Sequence, residues 1–317
     1  MSDGSHLLIP FAASVDEGCA QALKALELPN MDKLLARLQP KGADEGDAHS
    51  LSMPHERALA SLLGLNAPDG CLPWAAWQAS QSGRDTQGAA WARITPCHWQ
   101  VGQDHIAMGH PQQLGLSAEQ SQALLAAMKP WFEEDGIALE YEAPTQWLAR
   151  GEVFRGFASA SLDRVIGRVI DSWLPRGHEA RTIRRLQQEM QMLLYTNDVN
   201  EERALAGQKP VNSFWVSDAG ALPDSHAERL PDELVVTNGL RDTALMADWN
   251  AWASAWTRID ETDCAALLKA LARGEHVSLT LCGDRNARTF AGTGGGLFGK
   301  LASALRGSRR AAVLESL

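Results

Sequence analysis

Three short apolar runs, His6–Ala13 (HLLIPFAA), Glu233–Thr237 (ELVVT) and His276–Leu281 (HVSLTL), limit this chain more than any other feature. Each is too short for a buried helix and is bounded by polar residues, so each reads as a buried strand. Pro10 has no N–H for a ladder, so the first strand ends or meets a sheet edge there. Helical patterns flank these runs. Ala22, Leu23 and Leu26 are followed, after Pro29, by Met31, Leu34, Leu35 and Leu38. Further helices are expected over 54–65, over 248–256 with three Trp, and over 262–273, stopped by Gly274. Strand–helix–strand at both ends implies one α/β sheet built from both ends of the chain, with the middle inserted as a cap.

The middle reads differently. Residues 79–88 (ASQSGRDTQG) are small and polar, the best linker in the first half, and 41–50 (KGADEGDAHS) is a polar loop. Residues 89–107 alternate through Trp91, Ile94, Trp99, Val101 and Ile106, which suggests a hairpin. Ser117 and Gln120 form a capping box ahead of a helix to Phe132, and 137–141 reads as a strand. Leu162, Val165, Ile166, Val169, Ile170 and Trp173 make the clearest amphipathic pattern, and 179–194 is a second long helix. The expected domains are a core of 1–78 with 196–290, a cap of 89–195, and a tail of 291–317.

The block Leu193–Gly220 joins cap to core. Asn200 is placed to cap a short helix through Ala206, with Glu201 and Glu202 in the first turn, where the helix dipole favours acids. Gly207 suits a left-handed C-terminal position, and Pro210 forbids continuation. Val211–Val216 then reads as a buried strand ending in the polar turn Ser217-Asp218-Ala219-Gly220. Ligands of open α/β sheets bind at the carboxyl ends of strands, which makes Ser217 and Asp218 candidate ligand-binding residues.

Charge and cysteine usage exclude several classes. The chain has 317 residues, with 29 basic against 39 acidic side chains, a net charge of −10. That balance argues against general nucleic-acid binding, which needs a basic footprint. The five Cys are scattered without a CxxC pair, which speaks against a disulfide framework or structural zinc and for a reducing compartment. No apolar run approaches the ~20 residues of a membrane span. The opening MSDGSHLLIPFAAS has an acid before its apolar run and no basic region, unlike a secretory signal, so the expected location is the cytoplasm. His98, His105 and His110 lie in one stretch, but their spacing fits no standard metal set.

Gly294–Lys300 matches the GxxxxGK part of a phosphate-binding loop, but Leu301 stands where Ser or Thr should hold Mg²⁺. The better reading is a Gly hinge followed by a basic amphipathic tail helix. Leu297, Phe298, Leu301 and Leu305 form one side, with Lys300, Arg306, Arg309 and Arg310 elsewhere on it. Such a helix suits docking on a protein partner, on its own domain or on a membrane surface.

Four segments in order resemble one family. Leu28–Leu34 (LPNMDKL) is similar to the Thr-Pro-Asn-Leu-Asp-x-Leu block of the alkaline phosphatase superfamily. Ala58–Gly64 (ALASLLG) resembles the Ala-His-Leu-x-Leu-Leu-Gly block of archaeal-type cofactor-independent phosphoglycerate mutases. Asn200, Arg203, Gly207, Pro210 and Asn212 resemble the segment before that family's later metal site, and Leu279–Arg285 (LTLCGDR) its strand ending in Gly-Asp-His. The block Pro-Val-Asn-Ser-Phe-Trp is similar to that of proteobacterial proteins labelled phosphoglycerate mutase or regulatory protein RpfE. The resemblance implies a three-layer α/β sheet of alkaline phosphatase-like type with an inserted α+β cap.

The resemblance implies catalysis only where the chemical residues survive. The family transfers phosphoryl groups with two divalent metals, held by Asp and His, and a nucleophilic Ser. Its first strand ends in a metal-binding Asp, but here the region is Ile9-Pro10-Phe11-Ala12-Ala13. Counting back from Gly64, the nucleophile falls on His55, the following Asp on Glu56, and a His on Leu59. His55-Glu56-Arg57 is therefore a candidate phosphate or acid–base cluster, with His55 and Glu56 the candidate catalytic residues, and the other reading of the trio is a solvated helix start. Gly-Asp-His becomes Gly283-Asp284-Arg285, and a guanidinium has no lone pair for a metal. Asp284 is the one candidate metal ligand, and the resemblance makes Asp284, Arg285 and Asn212 candidate ligand-binding residues.

The expectation is a mutase-like pseudoenzyme acting in binding or regulation, with no cofactor and a small anionic ligand or protein partner. The alternative is an active phosphoglycerate mutase or phosphatase using Mn²⁺, Zn²⁺ or Mg²⁺ with altered ligands.

Overall fold

The computed structural model describes residues 4–293 and 309–317. The phosphate-loop-like stretch and most of the expected tail helix therefore lie outside the described residues. The first part of the chain forms β1 (Ser5–Ile9), α1 (Glu17–Ala25), α2 (Pro29–Arg37), β2 (Gln39–Asp44), α3 (Pro54–Leu63) and α4 (Trp74–Gln81). Next come β3 (Ala90–Cys97), β4 (Trp99–Val101), β5 (Ile106–Met108), α5 (Ala118–Glu134), β6 (Ala138–Ala143), β7 (Gln146–Arg150) and α6 (Leu162–Val165). Then follow α7 (Arg181–Tyr195), α8 (Asp198–Leu205), β8 (Ser213–Ala221), β9 (Leu234–Val236), α9 (Arg241–Leu245) and α10 (Trp249–Ile259). A π-helical turn (Asp260–Cys264) leads to α11 (Ala265–Ala272), β10 (His276–Cys282) and β11 (Ala287–Thr293), and the last element is α12 (Arg310–Glu315).

The chain divides into two compact units, Met1–Leu62 with Arg229–Leu317, and Leu63–Glu228. The first is a mixed α/β unit with strand order β2-β11-β10-β1-β9. β1 is parallel to both β10 and β9, while β11 is antiparallel to β10 and to β2. Alternation along β1 covers both faces of the sheet. Leu7 and Ile9 pack with α1, α2, α10 and α11, whereas Leu8 packs with Ala58 and Leu59 of α3. β1 ends at Ile9, as Pro10 requires. Two strands of this unit, β2 and β11, go unpredicted. β2 lies in the segment read as a loop, because an edge strand of Gln-Pro-Lys-Gly-Ala-Asp with nearly every residue exposed has no apolar alternation to betray it.

The second unit holds a four-stranded antiparallel sheet, order β6-β7-β3-β8, and the β4–β5 hairpin. Its core joins Ala92, Ile94, Phe214 and Val216 of the sheet to α5 and α7. This corrects the expected boundaries. Residues 63–78 and 196–228 belong here and not with the first sheet, because β8 pairs along its whole length with β3. The expected linker at 79–88 begins as the end of α4, with Ala79 fully buried. The expected long helix from Leu162 to Trp173 is also corrected. It stops at Val165, and the chain beyond bonds to β5 through Gly167 N to Met108 O (2.8 Å) and Ile170 N to Ile106 O (2.8 Å). Backbone partners on a neighbouring strand outcompeted a helical period.

α2 shows how a distant residue completes a local element. Its N-cap, Leu28, has no side chain to satisfy the orphan N–H groups of the first turn. The buried Asp260 carboxylate supplies the acceptors, at 2.7 Å from Met31 N and 3.1 Å from Asn30 N, and also takes Asn30 Nδ2 at 3.2 Å. The Pro-Asn-Met-Asp segment is thus held to the π-helical turn before α11. Asp260→Ala should lower unfolding free energy by about 2–3 kcal/mol, the size of lost charge-assisted bonds plus an uncapped turn. Urea midpoints would measure this, and a loss below a few tenths would rule out the capping role.

Candidate functional site

The carboxyl ends of the parallel neighbours β1 and β10 meet at Asp284. The turn after β1 places Phe11 in the left-handed region, φ 56°, where a bulky residue is strained by about 1–2 kcal/mol. Packing and hydrogen bonds hold it there. The indole N–H groups of Trp252 and Trp256 donate to Phe11 O (3.0 Å) and Ala12 O (3.2 Å), and Ala12 N donates to Cys282 O (2.7 Å). The turn then delivers Ser14 and Val15 to Asp284. Ser14 Oγ donates to its Oδ2 at 2.8 Å and Val15 N at 2.9 Å.

His55 and Glu56 begin α3. Phe11 packs its ring against that of His55, with centroids 5.1 Å apart. Glu56 accepts from Met53 N at 2.8 Å, the reach-back of a helix start. Arg57 grips Asp44 (2.7 Å) and donates to Ser52 O (2.6 Å) and Arg285 O (2.9 Å). The Arg285 side chain is exposed, while its N–H and that of Asn286 donate to Leu317 O at 3.0 and 2.7 Å. Gly283 permits this approach, because a Cβ there would lie 2.5 Å from Leu317 Cβ. The described end of the tail therefore docks on its own unit, with Leu314 and Leu317 buried. Arg310 donates to Leu26 O at 2.7 Å and Arg309 to Leu38 O at 3.1 Å.

The other candidates lie in the second unit. Asn212 uses its amide to bracket Trp99, accepting from Trp99 N (2.7 Å) and donating to Trp99 O (2.9 Å). Asn200 does not cap a helix. Asn197 caps α8, through Val199 N, and Asn200 is buried, donating to Leu194 O (2.8 Å) and Val211 O (2.7 Å). Arg203, fully buried, donates to Lys209 O, Leu114 O and Gln120 Oε1. These three residues serve as struts between backbone segments.

Ser217–Gly220 is not a terminal turn, since β8 runs through it to Ala221. A bulge falls there, with Trp91 opposite Gly220 and Arg93 opposite Ser217, and Asp218 is left-handed at φ 61°. By alternation Asp218 would join Phe214 and Val216 in the apolar core. The bulge gives that place to Ala219 and lets Asp218 pair with Arg93 at 3.1 Å. Burial pushes the Asp218 carboxyl above the usual range, opposed by Arg93 and reinforced by the charge of nearby Asp163.

Sequence reasoning missed Ser14, Arg93 and Asp163. Arg93 alone carried a signal, as a charge inside the otherwise apolar Ala90–Cys97 strand. Among the described residues, no three His, Cys, Asp or Glu side chains converge as a metal site would require. Asp284 belongs to no such group.

Asp218 gives a pH test. Its proton is held more tightly in the folded than in the unfolded chain, so the folded state loses stability as pH rises from the ordinary value of 3.8 through the raised one. Urea midpoints of the parent should therefore fall relative to those of Asp218→Asn between pH 4 and 7. Parallel curves would show that the carboxyl is not perturbed.

No family model matches the chain, and no curated protein matches it. Among solved structures it is similar to a cofactor-independent phosphoglycerate mutase from Thermoplasma acidophilum. Identity is 15%, covering 99% of this chain and 99% of that one, with a TM-score of 0.38. It is also similar to the PH0037 protein of Pyrococcus horikoshii, at 13% identity over 92% of this chain and 88% of that one, with a TM-score of 0.46. At these scores neither likeness assigns a residue or an activity to this chain.

Proposed function

We propose that the chain is a phosphoglycerate mutase-like scaffold of alkaline phosphatase type, akin to the RpfE proteins, that has lost two-metal phosphoryl transfer and works in binding or regulation. One observation carries the reading. The one carboxylate at a family ligand position, Asp284, serves as the acceptor that fixes the turn after β1, through Ser14 Oγ and Val15 N. Phe11 at the end of β1 offers a ring against His55 in place of a second carboxylate. Two metals need several oxygen or nitrogen donors to clamp the attacking and leaving oxygens.

In this reading the ligand is a small anion or an acidic segment of a partner, met at the exposed Arg285, whose guanidinium suits paired oxyanion contacts. Five free, buried cysteines fit a reducing compartment such as the cytoplasm. No described helix is long and apolar enough to cross a membrane.

The purified protein should hold less than stoichiometric Mn, Zn or Mg by mass spectrometry. It should turn over neither phosphoglycerates nor p-nitrophenyl phosphate with any of these metals added. Asp284→Ala should cost about 1–3 kcal/mol of stability, since two donors lose their acceptor. Stoichiometric metal, with turnover abolished by that substitution, would establish the active enzyme instead.

A further inference from the structure

A groove opens at the amino end of β1, between the edge strand β9 and α11. Leu7 lies opposite Val235 in the parallel ladder, so both side chains stand on the face that α11 packs against. Leu267 and Ala270 of α11 bury Leu7, but Val235 is left 51% exposed. The space between is a cavity of about 210 Å³, lined by these four residues together with Glu233 and Asp263. Alternation puts Glu233 on the same face as Val235. Asp263 comes from the π-helical turn before α11, an irregularity of a kind frequent at functional sites.

Size and charge restrict the occupant. Pockets for drug-sized molecules hold about 300–1,000 Å³, so this one is too small for them and suits a single extended side chain. Arg273 also reaches the groove, but Glu275 holds it at 2.5 Å. Neither Glu233 nor Asp263 has an ion-pair partner among the described residues. Buried apolar side chains beside two more exposed, unmatched carboxylates complement a cation on an aliphatic stem. A compact ammonium on an unbranched chain fits this volume better than a planar guanidinium does.

The strand beside the groove supplies a second recognition element. β9 ends its sheet, so its outer edge has no partner strand among the described residues. Glu233 O accepts from His6 N at 3.0 Å, and Thr237 N donates to Leu8 O at 3.1 Å. Main-chain groups alternate between the two edges of a strand, so those of Leu234 and Val236 face outward. Leu234 N donates to Pro231 O at 3.0 Å, which leaves Leu234 O and both groups of Val236 for a further strand. An extended peptide added to such an edge gains affinity from main-chain hydrogen bonds and specificity from a pocket for one side chain.

We propose that the first unit binds an extended basic segment of a partner protein at this edge. The segment pairs with β9, and one Lys side chain lies along Leu7, Leu267 and Ala270 to set its ammonium against Glu233 and Asp263. The groove is at the opposite end of β1 from Asp284 and stands whether or not that end has lost catalysis.

The test is a heteronuclear NMR titration of the full chain with the peptide Ac-Thr-Val-Lys-Val-Thr-NH2, with versions carrying norleucine or Glu in place of Lys, and with butylammonium. The Lys peptide should give saturable shifts at residues of β9 and α11, and the Glu peptide none. The norleucine peptide and butylammonium should each bind about tenfold more weakly, the first lacking the charge and the second the backbone. Glu233→Gln and Asp263→Asn should each weaken the Lys peptide about two- to fivefold, and together about tenfold. Glu134→Gln, at an exposed position of α5 in the second unit, should leave it unchanged. The comparison among peptides needs no variant to fold. No saturation by the Lys peptide would overturn the proposal, as would equal binding of the Glu or norleucine peptide or of butylammonium, or unchanged affinity in the folded double variant.

Discussion

The clamp that two tryptophans place on the turn after β1 is the interaction on which the first unit depends. Trp249, Trp252 and Trp256 stack edge to face along α10, with centroids 5.9 and 6.2 Å apart. Two of their indole N–H groups hold the carbonyls of Phe11 and Ala12. Without those donors a left-handed Phe11 has little to resist relaxation. With them, the chain leaves β1 on a path that brings Ser14 and Val15 to Asp284 and the Phe11 ring to His55. At this strand end the Asp284 carboxylate is engaged by the protein's own groups, while the neighbouring Arg285 is exposed.

The second unit handles a buried carboxylate in the opposite way. Asp284 is satisfied by neutral donors close in space, whereas Asp218 is turned out of an apolar core by a bulge and meets a guanidinium. The bulge gives up regular ladder bonds.

Much of the framework was legible. The Ser117–Gln120 capping box opens α5 as its pattern demands, Pro10 ends β1, and Gly207 closes α8 in a left-handed conformation. Several of the elements missed have their reason elsewhere in the chain. β2 and β11 are polar or half-exposed strands that exist because they pair with each other and with β10. The amphipathic stretch after Leu162 has helical spacing, yet its backbone bonds to β5. Of the candidate site, Asp284 and Asp218 could be named from strand ends. Arg93, Asp163 and Ser14 could not be assigned to them, because no local pattern encodes a partner dozens or hundreds of residues away.

By itself the sequence determined a mixed α/β chain with caps, breaks and an apolar strand at each end, because propensity, periodicity and capping act over a few residues. Only the tertiary structure decided that β8 belongs with β3, that Asp260 caps α2, and which carboxylates are engaged. Strand pairing and burial depend on contacts between distant residues, and burial then governs whether a charged group keeps its ordinary proton affinity.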